Sequence, residues 1–481
     1  QEVEQMNLFK DMVCYQEEVR DPSRMAEVLN RVIEKAFRGS APAQINVPRD
    51  YWTQVIDIEL PPIVRFERQG GGKEAIESAA KLLSKAKFPV ILSGAGVVLG
   101  GAIDECKQLA EKLDAPVCNG YQHNDSFPGS HPLAVGPLGY NGSKAAMELI
   151  SKADVVLALG TRLNPFSTLP GYGIDYWPKK ATIIQVDMNP DRIGLTKKVS
   201  VGICGDAKQV AQQILDKLSS DAGNTGREER KNLIHKTKSA WLQTLSGLDH
   251  EEDDPGTVWN KEARERDKDR MSPRQAWRAI QDALPQDAII SSDIGNNCAI
   301  GNAYPTFEKP RKYLAPGLFG PCGYGFPAIL GAKIGCPDTP VVGFAGDGAF
   351  GISMNEMSSC AREEWPAITM VIFRNYQWGA EKRNSILWFD DNFVGTELDP
   401  ELSYAKVANA CGLKGVTCKT MEETTKAIKQ SCEDQKKGIT TFIEVILNQE
   451  LGEPFRRDAM KKPVTVAGIK KEDMKPQKGI N

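Results

Sequence analysis

Two polar clusters, each directly after an apolar segment, hold the side chains best suited to chemistry. One apolar segment runs into Gly-Asp-Gly at 346–348, and the next ends at Arg-Asn, 374–375. Ligands of open α/β sheets bind outside the carboxyl ends of the strands, where both clusters would lie. A hard divalent cation prefers oxygen ligands, and Asp347 and Asn375 offer a carboxylate and an amide oxygen. The backbone carbonyl of Gln377 could add a third, so these three residues are the candidate metal ligands.

The glycines around Asp347 suit a phosphate as well as a metal. Gly346 and Gly348 would let backbone N–H groups approach a phosphate closely, and Ala349 continues into a predicted helix whose N-terminus favours negative charge. A lone Gly-Asp-Gly is more often a plain turn. Here 27 residues separate Asp347 from Asn375, enough for one helix and one strand, and both ends carry ligand chemistry. The paired pattern therefore predicts a magnesium-diphosphate clamp.

A second polar segment, at 292–297, follows another predicted strand and opens a helix. Gly295, Asn296 and Asn297 could give a second set of diphosphate contacts at that helix N-terminus. The alternative is that Asn296 only caps the helix.

Composition narrows the function classes. The 481 residues carry 60 Lys and Arg against 63 Asp and Glu, a net charge of −3, which argues against a nucleic-acid or polyanion binder. With 41% hydrophobic and 26% charged residues the chain is typical of a folded protein, and no apolar run approaches the roughly 20 residues of a membrane span. Eleven cysteines without a CxxC motif indicate reduced thiols and a cytoplasmic location. Four histidines without close pairs disfavour a histidine-built metal site.

Apolar strands that alternate with helical stretches predict α/β units, each a parallel sheet covered by helices on both faces. We predict a central α/β domain over 73–218, with strands at 89–93, 115–118, 155–159 and 183–186. We predict a further one over 272–448, with strands at 288–292, 341–345, 368–373 and 441–447. Between them, 219–271 is dense in charge and is expected to be a linker with one helix around 233–245. Residues 449–481 are expected to form a C-terminal arm.

Residues 1–60 have the pattern of the end of a domain. One helix after Asp21 and one strand at 43–47 are the elements expected there. A helix and a single strand cannot form a sheet with a core. We therefore expect this piece to need partner strands that the sequence does not contain.

Two features of the central domain allow either a structural or a binding role. A loose glycine pattern at 94–101 follows a strand, but its spacing differs from that of dinucleotide sites and no acidic residue stands in a clear ribose-binding context. Close packing of strand against helix is favoured over bound FAD or another nucleotide. His123 and His131 flank a polar loop, and capping of that loop is favoured over a substrate role.

The Gly-Asp-Gly…Asn pattern resembles the motif of thiamine diphosphate enzymes, and essentially the whole chain resembles their acetolactate-synthase-like family. The resemblance is carried by the segments at 1–5, 123–128, 137–140, 175–178, 200–206, 377–382 and 450–458. It implies a three-domain architecture of parallel α/β sheets flanked by helices, with thiamine diphosphate and Mg²⁺ as cofactors. Residues 1–60 would be the C-terminal part of the pyrimidine-binding domain, and 272–448 the diphosphate-binding domain.

The resemblance also assigns residues around the cofactor. The glycine-rich segment 317–327, with Gly320 and Cys322, has the form that wraps the cofactor in these enzymes, and a loop without contact is the alternative. Family members carry a large apolar residue at the position of Cys322, which holds the pyrimidine and thiazolium rings in a V. Cysteine is smaller, so Phe319 or a substrate would have to fill the space. The remaining implied cofactor contacts are Trp378, Gly379 and Ala380.

Charged residues follow Gly379, where acetolactate synthases have apolar ones, and they put charge beside the cofactor. The resemblance implies that sulfoacetaldehyde and phosphate give acetyl phosphate and sulfite, a step of sulfonate degradation such as taurine catabolism. Glu381 and Lys382 are the catalytic candidates, although Glu381 could instead form a salt bridge to Lys382 or Arg383. Because the substrates are anionic, Lys382 or one of three arginines is expected to bind the sulfonate or phosphate. These arginines are Arg383, Arg456 and Arg457; a solvated basic tail is the alternative for the last two.

Family members activate the cofactor with a glutamate near the start of the first domain and build each site between two subunits. A homodimer or homotetramer is therefore implied. That domain begins upstream of the segment matching Gln1, so we expect a truncated first domain without the glutamate, and a chain that by itself binds the cofactor weakly and does not turn over. Two other functions stay open: a 2-oxoacid carboligase or decarboxylase such as acetolactate synthase, and a non-catalytic diphosphate-binding module.

Overall fold

The computed structural model describes residues 2–62, 67–248, 265, 267–317, 319–388 and 393–451. The chain divides into two compact units, Gln1–Arg68 and Gln69–Asn481, and the strands pair in parallel in both. All eleven cysteines are free thiols. Across the described ranges, no helix is both long and apolar enough to cross a membrane.

The first unit is a two-stranded parallel sheet packed against one long helix. Its strands are β1 (Tyr15–Glu18) and β2 (Ala43–Asn46), and its helices are α1 (Gln5–Phe9) and α2 (Met25–Gly39), with 3-10 turns at Pro22–Arg24 and Arg49–Thr53. Val19, Val28 and Val32 form a small buried core between helix and sheet.

The expectation of a single strand in residues 1–60 is wrong. Strand β1 pairs with β2 along its whole length, with Tyr15 opposite Ala43 and Glu18 opposite Asn46. Its sequence, Tyr-Gln-Glu-Glu, has neither a continuous apolar run nor an apolar-polar alternation, so no strand pattern marks it. The sheet nevertheless has only two strands, which is below the size that is usually stable alone.

The first part of the second unit is a six-stranded sheet with helices on both faces. The strands are β3 (Pro89–Ser93), β4 (Val117–Asn119), β5 (Ala134–Pro137), β6 (Val155–Leu159), β7 (Thr182–Asp187) and β8 (Val201–Cys204). The helices are α3 (Lys73–Lys85), α4 (Ala95–Gly100), α5 (Ile103–Leu113), α6 (Lys144–Ile150), α7 (Ala207–Lys217) and α8 (Arg227–Leu248). Short 3-10 turns lie at Asn124–Ser126, Pro165–Ser167 and Pro190–Arg192. The strand order is β5-β4-β3-β6-β7-β8.

The second part carries another six-stranded sheet. Its strands are β9 (Ile289–Ser292), β10 (Tyr313–Leu314), β11 (Val341–Gly346), β12 (Thr369–Arg374), β13 (Lys414–Cys418) and β14 (Thr441–Ile446). The helices are α9 (Pro273–Gln281), α10 (Asn296–Ile300), α11 (Gly325–Gly335), α12 (Asp347–Ser353), α13 (Met357–Cys360), α14 (Gly379–Trp388), α15 (Tyr404–Ala410) and α16 (Met421–Gln435). Further 3-10 turns lie at Gly301–Ala303 and Met354–Glu356. The order β10-β9-β11-β12-β14-β13 makes β9, β11 and β12 neighbours.

The eight strands predicted in these two sheets are all present, and all are interior strands. They are buried on both faces, so they read as continuous apolar runs. The four strands of these two sheets that the sequence analysis missed, β5, β8, β10 and β13, are their four edge strands. Edge strands are partly exposed, as in β8 and β13, and their sequences mix polar with apolar residues.

The glycine pattern after β3 brings two backbones together. A Cβ built on Gly96 would lie 2.6 Å from the Cα of Gly160, and one built on Gly94 would lie 2.7 Å from the carbonyl oxygen of Gly160. Gly160 directly follows β6, so helix α4 packs backbone to backbone against the end of that strand. This is the close packing that the sequence analysis favoured.

Helix α8 occupies much of the segment 219–271 that was expected to be a linker. Ile234 belongs to the core of the first six-stranded sheet, whereas Trp241 and Leu245 pack in the core of the second. Arg230 on the same helix is only 1% exposed, and its guanidinium donates to five backbone carbonyls. The helix therefore joins the two cores, and Arg230 fixes it to the loops of the first.

Replacing Arg230 by Met is expected to lower the free energy of unfolding by about 3 kcal/mol, because buried carbonyls lose their donors. Lys231→Met is the matched control. It changes the next residue of the helix, whose exposed side chain lies 3.7 Å from Asp114, and such pairs contribute about 0–1 kcal/mol. Urea unfolding of both variants measures the difference, and equal losses would contradict the role given to Arg230.

Candidate active site

Asp347 lies where strand β11 ends and helix α12 begins, and it is only 1% exposed. Its Oδ2 accepts from the guanidinium of Arg374 at 3.0 Å and from the backbone N–H of Tyr376 at 2.6 Å, while Oδ1 accepts from the N–H of Gly348 at 3.0 Å. Burial raises the pKa of the Asp347 carboxyl to about 6, and the charge of Arg374 opposes that rise. The ends of β11 and β12 are thus joined through this carboxylate.

Arg374, the last residue of β12, was not singled out by the sequence analysis. Its guanidinium donates to the backbone carbonyls of Asp399 and Leu402, in addition to Asp347. It lies 4.2 Å from the ring centroid of Tyr376, and its Nε lies 3.7 Å from Glu444 on strand β14. An arginine at the end of an apolar strand is expected to be buried, and a buried cation needs carboxylate partners. This position was the feature of the sequence that could have identified Arg374.

Asn375 has the property expected of a metal ligand. Its side chain is 2% exposed, its Nδ2 donates to Asn297 Oδ1 at 3.5 Å, and its Oδ1 has no hydrogen-bond partner. A buried carbonyl oxygen without a partner is costly unless a ligand satisfies it. Asn375 stands between the two residues that donate to Asp347 Oδ2. A carboxylate and an amide oxygen at adjoining strand ends form a donor set that fits Mg²⁺.

The predicted role of Gln377, a metal ligand through its backbone carbonyl, stays a prediction. Its side-chain Oε1 is a further buried oxygen without a hydrogen-bond partner. The side-chain Nε2 donates to the backbone carbonyl of Gln449 at 3.2 Å, which fixes the amide beside the end of the described chain. Gln377 therefore faces Gln449, whereas Asn375 faces Asn297.

Two glycines bring the predicted diphosphate segments together, and a third borders open space. A Cβ on Gly348 would lie 2.8 Å from the indole of Trp378, and one on Gly379 would lie 3.2 Å from Asn296 Nδ2. A Cβ on Gly346 would meet nothing within 4 Å, so that backbone borders open space. The segments 292–297, 346–349 and 375–380 consequently border one site, and Ala349 lies buried inside helix α12.

The glycine-rich segment 317–327 is held at this site by Asp293. The buried carboxylate accepts from the N–H groups of Gly323 at 3.1 Å and Gly325 at 2.6 Å, and burial raises its pKa. Gly320 has a φ of +63°, a conformation that favours glycine. Cys322 is half-buried, and burial together with the charges of Asp293 and Glu381 raises the pKa of its thiol. The segment thus lies between the second diphosphate segment and helix α14.

The predicted charged residues of helix α14 have different surroundings. Glu381 is exposed, whereas Lys382 is 1% exposed and forms an ion pair with Glu397. Lys382 also donates to Gln449 Oε1 at 3.3 Å. Arg383 is buried and donates to the hydroxyl of Tyr140 at 2.9 Å. Arg456 and Arg457 lie outside the described residues.

The central sheet contributes a residue to this site that the sequence analysis did not assign. Tyr140, in the loop after β5, accepts from Arg383 and donates from its hydroxyl to Asn296 Oδ1 at 3.2 Å. It belongs to the segment 137–140, one of those that carried the family resemblance. That resemblance was the feature of the sequence that drew attention to Tyr140.

The two histidines of the central part do not reach the site through any described contact. Burial lowers the pKa of His123 to about 4, so its ring is neutral at pH 7. His131 Nδ1 accepts from the N–H of Leu133 at 3.2 Å, and its Nε2 lies 3.2 Å from Glu111. His131 therefore caps its loop, as the sequence analysis favoured.

Comparison with known families matches both six-stranded sheets. The family described as "Thiamine pyrophosphate enzyme, central domain" matches residues 76–214, and "Thiamine pyrophosphate enzyme, C-terminal TPP binding domain" matches residues 293–445. The second match contains the strands that carry Asp347 and Asn375. The sheet with the candidate site is thus the part that binds thiamine pyrophosphate in this family.

Individual relatives are similar over almost the whole chain. A probable sulfoacetaldehyde acetyltransferase of Rhizobium meliloti is 78% identical, over 99% of this chain and 81% of the relative. The sulfoacetaldehyde acetyltransferase of Roseovarius nubinhibens is 76% identical, over 99% and 79%. A probable acetolactate synthase large subunit of Methanocaldococcus jannaschii is 28% identical, over 90% and 71%. The expected segment upstream of Gln1 stays a prediction.

Gly348→Ala is expected to destabilise the cofactor-free protein by about 1–3 kcal/mol, because the new methyl group would overlap the Trp378 indole. Gly346→Ala is the matched control, two residues away, and its methyl group would enter open space. Its unfolding free energy should stay within about 0.5 kcal/mol of the original. Denaturant unfolding without cofactor measures both, and an unchanged Gly348→Ala protein would contradict the packing described for Trp378.

Proposed function

The chain belongs to the sulfoacetaldehyde acetyltransferases, a family of thiamine pyrophosphate enzymes, and on that premise we propose its reaction and the roles of its residues. The enzyme transfers the two-carbon unit of sulfoacetaldehyde to phosphate, which gives acetyl phosphate and sulfite. One observation of the site carries the proposal: the unpartnered, buried Oδ1 of Asn375 stands next to Asp347 in the domain that matches the cofactor-binding family.

Magnesium and the diphosphate share the strand ends in this proposal. Asp347 and Asn375 Oδ1 hold the ion, with Gln377 as the third candidate ligand. Gly346 borders open space and presents its backbone to the diphosphate. Gly348 lies beside it, and its N–H group donates to Asp347 Oδ1, so it orients the metal ligand. The second segment contributes Gly295, Asn296 and Asn297. Thiamine diphosphate, when bound, supplies the carbanion that attacks the aldehyde.

The cofactor's reactive end is bordered by groups from two segments. Cys322 and Gly320 lie in the loop that Asp293 holds, and Glu381 is close enough to affect the Cys322 thiol. Trp378 and Ala380 complete this border. Glu381 is exposed, so it can exchange a proton with solvent and with a bound substrate.

Two buried cations favour anionic substrates at this site. Lys382 is paired with Glu397, and Arg383 is held by Tyr140. Both sit on helix α14, directly after the segment that borders the metal ligands. Glu397 offsets the charge of Lys382, whereas Arg383 donates to the neutral hydroxyl of Tyr140, so the field that attracts sulfonate and phosphate comes mainly from Arg383. Arg456 and Arg457 would add bidentate contacts to the same anions.

The alternative reactions are less well supported. Relatives named sulfoacetaldehyde acetyltransferase share 76–78% of residues with this chain, against 28% for the acetolactate synthase subunit, which favours sulfoacetaldehyde over a 2-oxoacid. The names of the same relatives favour an enzyme over a non-catalytic diphosphate-binding module. We further propose a cytoplasmic homodimer or homotetramer that acts in sulfonate degradation, such as taurine catabolism.

The reaction is tested on the protein as its cell makes it, with any residues that precede Gln1. With thiamine diphosphate, Mg²⁺ and phosphate, sulfoacetaldehyde should give sulfite and acetyl phosphate in equal amounts, and pyruvate should give no carbon dioxide.

Asp347→Asn should weaken magnesium binding by about 100-fold, by analogy with the loss of a supporting ligand, and activity should fall with it.

The surface variant Asp338→Asn is the matched control, because its carboxylate is exposed and lies outside the site. If the protein releases carbon dioxide from pyruvate and no sulfite from sulfoacetaldehyde, the proposed reaction is wrong and the protein is a 2-oxoacid carboligase or decarboxylase. If the Asp347 variant and its control bind magnesium with equal affinity, Asp347 is not a magnesium ligand.

A further inference from the structure

The hydroxyl of Tyr140 lies between two residues of the candidate site that belong to the other sheet. Arg383 donates to it at 2.9 Å, and it lies 3.2 Å from Asn296 Oδ1. We propose that Tyr140 is a positioning residue, which holds the Asn296 amide with its nitrogen toward the diphosphate of the cofactor. This inference rests on the proposed cofactor site and names the residue that orients one of its donors.

The direction of this hydrogen-bond chain follows from the chemistry of its members. A guanidinium has donors and no acceptor, so the Tyr140 oxygen accepts from Arg383. The Tyr140 proton then needs an acceptor of its own, and Asn296 Oδ1 accepts it at 3.2 Å. A flipped amide would put an NH₂ group against the hydroxyl and leave the hydroxyl proton without that acceptor. The chain of hydrogen bonds from Arg383 to Tyr140 to Asn296 therefore fixes which end of the Asn296 side-chain amide faces Tyr140.

The other end of the Asn296 amide is a donor without a partner. Asn296 is 4% exposed, and its Nδ2 makes no hydrogen bond. A Cβ on Gly379 would lie 3.2 Å from this nitrogen, so Nδ2 faces the backbone at the start of helix α14. A buried N–H group needs an acceptor, and the diphosphate oxygens are acceptors of the required charge.

Tyr140 is itself held firmly from both sheets. Its backbone N–H donates to Phe166 O at 3.0 Å, and its carbonyl accepts from Asn302 Nδ2 at 3.1 Å. Asn302 belongs to the second six-stranded part, and its backbone carbonyl accepts from Asn124 Nδ2 at 2.8 Å. The packing of the two parts thus sets the position of the Tyr140 hydroxyl, so the central sheet acts on the cofactor site without touching the diphosphate.

Tyr140→Phe removes only the hydroxyl and tests this role. We expect the dissociation constant for thiamine diphosphate, measured by calorimetry at saturating Mg²⁺, to rise about tenfold, because the Asn296 amide loses its orientation. Tyr176→Phe is the matched control: it removes the hydroxyl of another buried tyrosine in the same part, which donates to Ser167 O at 3.5 Å. The control should bind the cofactor as the original protein does.

The same substitution in an Asn296→Ala background separates positioning from a general loss of structure. If Tyr140 acts through Asn296, then Tyr140→Phe should not weaken cofactor binding further in that background. A further tenfold loss there, or equal binding by Tyr140→Phe and the original protein, would overturn the inference while the proposed function stands. Absence of cofactor binding by the original protein would instead overturn the proposed function, on which the inference rests.

Discussion

The buried ion pair between Asp347 and Arg374 lies at the ends of strands β11 and β12, and the geometry of the site depends on it. Both side chains are 1% exposed, and charges so deeply buried are tolerated only when they are paired and hydrogen-bonded. The carboxylate accepts from Arg374, from Tyr376 and from Gly348. The guanidinium binds backbone carbonyls beyond β12 and faces a second carboxylate, Glu444. One pair therefore fixes two strand ends and the chain that follows β12.

That pair also decides how a metal can bind. Arg374 offsets the charge of Asp347, so the attraction for a dication has to come in part from the diphosphate itself. The protein contributes a carboxylate and the unpartnered amide oxygen of Asn375. Metal and diphosphate are consequently expected to bind together, with Asn296 and the glycine backbone on the diphosphate side. The central sheet takes part through Tyr140, and helix α14 brings two cations to the substrate side.

The sequence pattern predicted the interior of both large sheets because buried parallel strands are continuously apolar, whereas edge strands such as β8 and β13 are not. The metal candidates Asp347 and Asn375 were predictable because strand ends in a parallel sheet share one edge. Contacts between distant segments carry no such pattern. Tyr140 and Arg383 are 243 positions apart, and their hydrogen bond became visible only in the folded chain. Arg383 and Lys382 were interpreted as substrate cations, and their partners Tyr140 and Glu397 were not foreseen.

The most direct test of this account is the anomalous diffraction of Mn²⁺ in crystals grown with thiamine diphosphate. We expect one strong peak about 2.1–2.3 Å from a carboxylate oxygen of Asp347 and from Asn375 Oδ1, with the diphosphate accepting from Asn296 Nδ2. A peak at other residues, or a bound diphosphate that leaves Asn375 Oδ1 without a partner, would contradict it.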